Sequence, residues 1–161
     1  MRFIRDIHAE KAVAGKPTIS FEFFPFKTPE GEATFFGKTL PALMTTSPDY
    51  ASVTYGAGGS TREKTLEIVE QIQNDFSLTT MAHLTCIKHT QAEIDAILNE
   101  ANNRGIRNIL ALRGDPPPGE DWSQTEGGFE FASELVTRIR GRGDFGVAVA
   151  GFPEGHIDCG E

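Results

Sequence analysis

Short runs rich in β-branched and aromatic residues alternate along the chain with longer stretches whose apolar residues recur at helical spacing. Thr18–Phe24 (TISFEFF) reads as a strand, stopped by Pro25 and the turn residues Lys27, Thr28 and Pro29. Glu30–Thr45 predicts a helix that Gly37 and Pro41 weaken. Tyr50–Thr54 is a second strand, followed by the glycine-rich turn Gly56–Ser60 and a helix from about Thr61 to Asn74 with Leu66, Val69 and Ile72 on one side. Leu78–Thr85 is a third strand. Thr90 with Glu93 three residues later forms a capping box, Ile94, Ile97 and Leu98 then face inward, and Gly105 is placed to end the helix. Arg107–Leu112 is a fourth strand, residues 113–128 a long loop full of Pro and Gly, Phe129–Arg140 a helix, and Phe145–Ala150 a fifth strand. Met1–Lys16 alternates charged and small residues, and no element is assigned to it.

Strands separated by single helices imply βαβ units and a parallel sheet, hence an α/β fold. Two architectures fit: an open doubly wound sheet or a (β/α)8 TIM barrel. A barrel takes roughly 250 residues, and this chain has 161. It stops at Cys159-Gly160-Glu161 with no helix to cover the last strand. The expectation is therefore a barrel truncated to about the first five strands and four helices, with residues 1–161 forming the N-terminal portion of one domain. An open edge on such a piece would be prone to misassociation.

Charge and composition narrow the classes. Fifteen Lys and Arg against 23 Asp and Glu give a net charge of −8, which argues against nucleic-acid binding and against docking on anionic membrane. No apolar run approaches the roughly 20 residues of a membrane-spanning helix. The N-terminus lacks the apolar core of a secretory signal, and two cysteines make no disulfide framework, so a cytoplasmic location is expected. Twelve Phe supply apolar area for a core.

In both architectures ligands bind at the carboxyl ends of the strands. Ionisable and polar residues collect there: Glu22 on the first strand, Thr54 and Tyr55 on the second, His83 and Thr85 on the third, Arg113-Gly114-Asp115 after the fourth, Glu154 and His156 after the fifth. Glu22, flanked by Phe21 and Phe23, would be partly desolvated and so serve as a general acid at neutral pH; strand alternation offers the other reading, with Glu22 pointing away from both rings. Asp115 precedes three prolines that would fix the loop holding it, although it could equally cap a turn. Gly56–Ser60 could cradle a phosphate through backbone N–H groups, but it matches neither nucleotide-binding glycine motif and serves equally as a tight turn. His83-x-x-Cys86-x-x-His89, with His156 and Cys159, raises a metal site, against which the spacing argues. Cys86 reads better as a buried small hydrophobe.

Ser20-Phe21-Glu22-Phe23-Phe24-Pro25, Ser52-Val53-Thr54-Tyr55-Gly56-Ala57, His83-Leu84-Thr85-Cys86 and Ala111-Leu112-Arg113-Gly114-Asp115 occur in that order, and Val149–His156 (VAGFPEGH) follows them. From about Thr18 to His156 the chain resembles the methylenetetrahydrofolate reductase family. The resemblance implies a (β/α)8 barrel that binds FAD and reduces 5,10-methylenetetrahydrofolate to 5-methyltetrahydrofolate, with NADH or NADPH as donor. This is a ping-pong reaction of one-carbon metabolism and methionine biosynthesis. It implies that Glu22 protonates N10 to open the folate's five-membered ring, leaving an iminium that accepts hydride. Asp115 would lie near flavin and pterin, where its charge stabilises that cation. Thr54, Tyr55, His83, Leu112, Arg113 and Gly114 would line the FAD, with Phe131, Ala132, Phe152 and His156 toward its ribityl and adenosine parts. Several family members carry Tyr where this chain has Phe131 and Phe152. The family barrel continues for about as many residues again, and a homo-oligomer is implied at full length. Two other readings remain open: an incomplete barrel acting only through association with another chain, and a metal-dependent barrel hydrolase.

Overall fold

The computed structural model describes residues 1–56, 62–116 and 119–155, and of Arg62 the backbone alone. The turn residues Ala57–Ser60, with Pro117, Pro118, His156 and Cys159, lie outside the described residues. Five strands, β1 (Ser20–Phe23), β2 (Tyr50–Val53), β3 (Thr79–Thr85), β4 (Asn108–Leu112) and β5 (Gly146–Val149), pair in parallel in the order of the sequence. A doubly wound sheet reverses its strand order at a switch point. Strictly sequential order is the winding of a (β/α)8 barrel, and the sheet here is not closed, with β1 and β5 at its edges.

Alternation along each strand divides the faces. Ala51, Val53, Ala82, Leu84, Ile109 and Ala111 pack beneath the helices in one core with Leu66, Val69, Ile72, Ile94, Leu98, Leu135 and Ile139. The helices that supply these residues are α4 (Arg62–Phe76), α5 (Gln91–Asn103) and α6 (Ala132–Arg140). α4 lies on β2 and β3, and α6 on β4 and β5. The expected capping box of α5 is present: Thr90 Oγ1 accepts from Glu93 N while Glu93 accepts from Thr90 N. Gly105 adopts φ +69 and ends the helix, with Ile106 N donating to Ala101 O at 2.9 Å. Asp95 ties α5 to α6 through Arg138 and Arg142, and these guanidinium groups hold its carboxyl well below the usual carboxylate range.

Two elements depart from the sequence reading. The helix predicted over Glu30–Thr45 is α2 (Pro29–Thr34), a π-helical turn (Phe35–Thr39) and α3 (Leu40–Met44) in succession. Pro41 has no N–H and its ring excludes the carbonyl four residues back. The chain widens by one residue ahead of it, so that Leu40 N reaches Phe35 O. Residues 4–13, where the sequence pattern assigns no element, form helix α1 (Ile4–Val13). It buries Ile7 and otherwise exposes most of its surface, so its apolar pattern is faint.

What holds α1 is tertiary. Asn108, buried at the start of β4, accepts from Ile4 N at 3.0 Å and donates through Nδ2 to Arg2 O at 3.0 Å and Thr80 O at 3.1 Å. One side chain thus joins α1, β3 and β4 at the amino ends of the strands. A cavity of about 520 Å³ lies at that end, lined by Ile4, His8, Tyr50, Asn108 and Phe145 among others. Asn108→Ala is expected to destabilise the fold by about 2–3 kcal/mol, because three backbone groups lose their partner. Urea unfolding measures this, and a change below about 0.5 kcal/mol contradicts the latch.

Candidate active site

Alternation along β1 sends Phe21 and Phe23 to the helix-covered face, where their rings stack at 6.3 Å and Phe23 meets Phe35 edge-on at 4.7 Å. Glu22 leaves from the opposite face. The expectation that the flanking phenyl rings desolvate Glu22 is therefore corrected: its side chain is 52% exposed, and the groups that touch it are polar. The strand register supplies them. Glu22 lies opposite Ser52, and Ser52 Oγ donates to Glu22 Oε2 at 3.0 Å. Ser52 in turn lies opposite Met81, and His83, the next residue of β3 on the same face, brings Nε2 to 3.2 Å from that same Oε2. Glu22 is thus the polar group that faces His83 Nε2.

His83 is 7% exposed. Burial pushes its imidazole below the usual value of 6.5, with the Glu22 carboxylate pulling the other way. The ring is neutral at physiological pH. Thr85, one inward position further along β3, buries a hydroxyl oxygen with no partner. A buried polar atom left unpaired costs about 1–3 kcal/mol, so the Thr85 hydroxyl marks a place where a ligand's polar group gains unusually. The exit of β4 crosses close by. Gly114 has φ +84, and a Cβ there would stand 2.8 Å from Thr85 Cβ and 2.7 Å from Ile87 Cγ2. Glycine alone lets the chain pass.

The remaining expected residues take their places along the same rim. Thr54 N donates to Phe23 O at 2.9 Å, and Thr65 Oγ1 donates to Thr54 O at 3.0 Å. Tyr55 OH is 3.1 Å from His89 Nε2. Leu112 ends β4, and the Arg113 guanidinium stacks over the Trp122 ring at 5.1 Å. Asp115 is exposed beyond β4. It is separated from Glu22 by β2 and β3, about 14 Å along the sheet at the usual strand spacing. Ala132 opens α6, while Phe131 and Phe152 are 48% and 54% exposed. His83, Cys86 and His89 do not converge: His83 turns to Glu22, Cys86 Sγ lies 3.6 Å from Phe131 O, and His89 turns to Tyr55. Burial pushes the Cys86 thiol up to about 12, which suits a packed, unreactive side chain.

The structure thus brings Glu22 and His83 together and adds Ser52, to which the sequence reading gives no role, and Thr85, which that reading names only as a polar residue at the end of its strand. Both stand at inward positions of strands whose other inward residues are recognisable, so parity along the strand was the available signal.

The electrostatic coupling is testable. Glu22→Gln removes the carboxylate that favours the charged imidazole, so the NMR titration midpoint of His83 is expected to fall further; a rise contradicts the contact. With a folded-state value below the unfolded one, His83 binds fewer protons folded than unfolded. Its contribution to stability is therefore complete above about 6.5 and lost as the pH falls below that.

The chain matches the family model described as methylenetetrahydrofolate reductase over residues 6–161. Methylenetetrahydrofolate reductase (NADH) 1 of Zea mays is 46% identical over 153 residues, covering 93% of this chain and 26% of the relative. Methylenetetrahydrofolate reductase 1 of Schizosaccharomyces pombe is 45% identical over 143 residues, covering 88% and 24%. The 5,10-methylenetetrahydrofolate reductase of Escherichia coli is 40% identical over 147 residues, covering 91% and 48%. The chain spans about a quarter of the eukaryotic relatives and about half of the bacterial one. The family model spans nearly the whole chain and the sequential parallel sheet agrees with it: this chain belongs to the methylenetetrahydrofolate reductase family.

Proposed function

We propose that residues 1–161 are the N-terminal portion of a single FAD-binding (β/α)8 catalytic domain. The complete domain reduces 5,10-methylenetetrahydrofolate to 5-methyltetrahydrofolate with NADH or NADPH as hydride donor. The observation that carries this reading is the carboxyl group of Glu22, held by Ser52 against a neutral His83, on the face the helices leave open. Plant relatives whose names include NADH support a nicotinamide donor.

FAD, when bound, supplies the hydride chemistry. The unpartnered Thr85 Oγ1 fits one of its polar groups, and Phe131 and Phe152 offer exposed rings. Thr54, Tyr55, Leu112, Arg113, Gly114, Ala132 and His156 complete the cradle in this reading. Ser52 Oγ and His83 Nε2 both address Oε2 of Glu22, which orients the carboxyl group. Glu22 passes a proton, taken up from solvent at its half-exposed carboxyl group, to N10 of the folate, the C–N10 bond breaks, and the exocyclic carbon becomes an iminium able to accept hydride. Asp115, across β2 and β3, places a negative charge that stabilises that cation.

In the full-length protein Glu22→Gln is expected to keep flavin reduction by NADH and to lose folate reduction by about 100-fold or more, the usual worth of general acid catalysis. Stopped-flow assay of the two half-reactions separates them, and equal loss in both refutes the acid role. Asp115→Asn is expected to slow the folate half-reaction more than it weakens FAD binding; unchanged folate kinetics counts against it.

A further inference from the structure

We propose that His89 is a positioning residue: it fixes the Tyr55 phenol in the orientation that FAD binding requires. The proposal rests on the FAD reading above and assigns a task to a histidine that reading does not use.

The contact is specific. His89 is 6% exposed. Its Nε2 lies 3.1 Å from Tyr55 OH, with the rings 5.8 Å apart at 70°, edge to face. An apolar side chain could fill the same space, but only a hydrogen-bonding one dictates where the phenol oxygen points.

The backbone around His89 is built to hold that aim. Lys88 adopts φ 57, a left-handed conformation that is costly for a residue with a side chain. The turn is closed by His89 N donating to Cys86 O at 3.2 Å. Ahead of it, Cys86 N donates to Leu112 O at 3.0 Å and Ile87 N to Arg113 O at 3.1 Å, which pins the turn to the end of β4. From the other side Gly128 closes in: a Cβ there would stand 2.4 Å from His89 O. Gly128 bridges Thr90, and Gln91 N donates to Gly127 O at 2.9 Å. The loop leading into α6 therefore clamps the His89 backbone while the strained turn aims its ring at Tyr55. Tyr55 directly follows Thr54, the residue hydrogen-bonded to β1 behind Glu22. A phenol free to rotate would have to be ordered when cofactor binds, and fixing it beforehand removes that cost.

The test is FAD titration of the full-length apoprotein, followed by flavin fluorescence, in His89→Leu, Tyr55→Phe, the double variant and His89→Gln. Melting of each apoprotein is recorded alongside. His89→Leu and Tyr55→Phe are each expected to weaken FAD binding about fivefold, the usual worth of one hydrogen bond. The double variant is expected to lose no more than either single one. His89→Gln, which keeps a hydrogen-bonding group, is expected to bind within about twofold of wild type. Wild-type affinity in His89→Leu, losses that multiply in the double variant, or a glutamine no better than leucine overturns the proposal. Should His89→Leu not fold, Tyr55→Phe decides, because it removes one oxygen and keeps the ring: wild-type affinity there overturns it equally. A wild-type protein that binds no FAD sinks the FAD reading and this inference with it, whereas FAD binding insensitive to His89 sinks this inference alone.

Discussion

Side chains on a strand point alternately to opposite faces, and in a parallel sheet wound in sequence order the helices cover only one of them. Every other feature of this chain depends on that division. Phe21, Phe23, Ala51, Val53, Leu84, Ile109 and Ala111 supply the apolar face. Glu22, Ser52, His83, Thr85 and Asn108 then have no choice but the other. The same parity that builds the core builds the site, so a shift of one residue in any strand would bury the chemistry and expose the core.

The two ends of the open face are built differently. At the amino end Asn108 commits its side-chain amide to Ile4, Arg2 and Thr80, and the result is a closed structural joint. At the carboxyl end Thr85 Oγ1 is equally buried and remains unsatisfied. Burial without partners lowers stability, and it is retained where a ligand supplies the missing bonds. The contrast along one face supports the carboxyl rim as the functional end.

Most of the architecture was legible in the residues. The strands fall within two residues of their expected bounds, and the Thr90–Glu93 box and Gly105 delimit α5 as local chemistry requires. What could not be read was set by distant contacts. α1 carries little apolar signal because a side chain 104 residues away holds its first turn. The π-helical turn before Pro41 resolves a conflict that sequence shows only as a weakness. For Glu22 the neighbours in sequence misled: the flanking Phe residues suggested an apolar pocket, whereas the neighbours in space, Ser52 and His83, come from other strands through register. That Asp115 follows the carboxyl end of β4, and its distance from Glu22, both come from strand order alone.

In the function proposed above, this rim holds a flavin, and the visible absorption spectrum of the purified full-length protein tests it. Flavin bands that bleach on addition of NADH and return on addition of 5,10-methylenetetrahydrofolate are expected. A folded protein that stays colourless after incubation with FAD contradicts it.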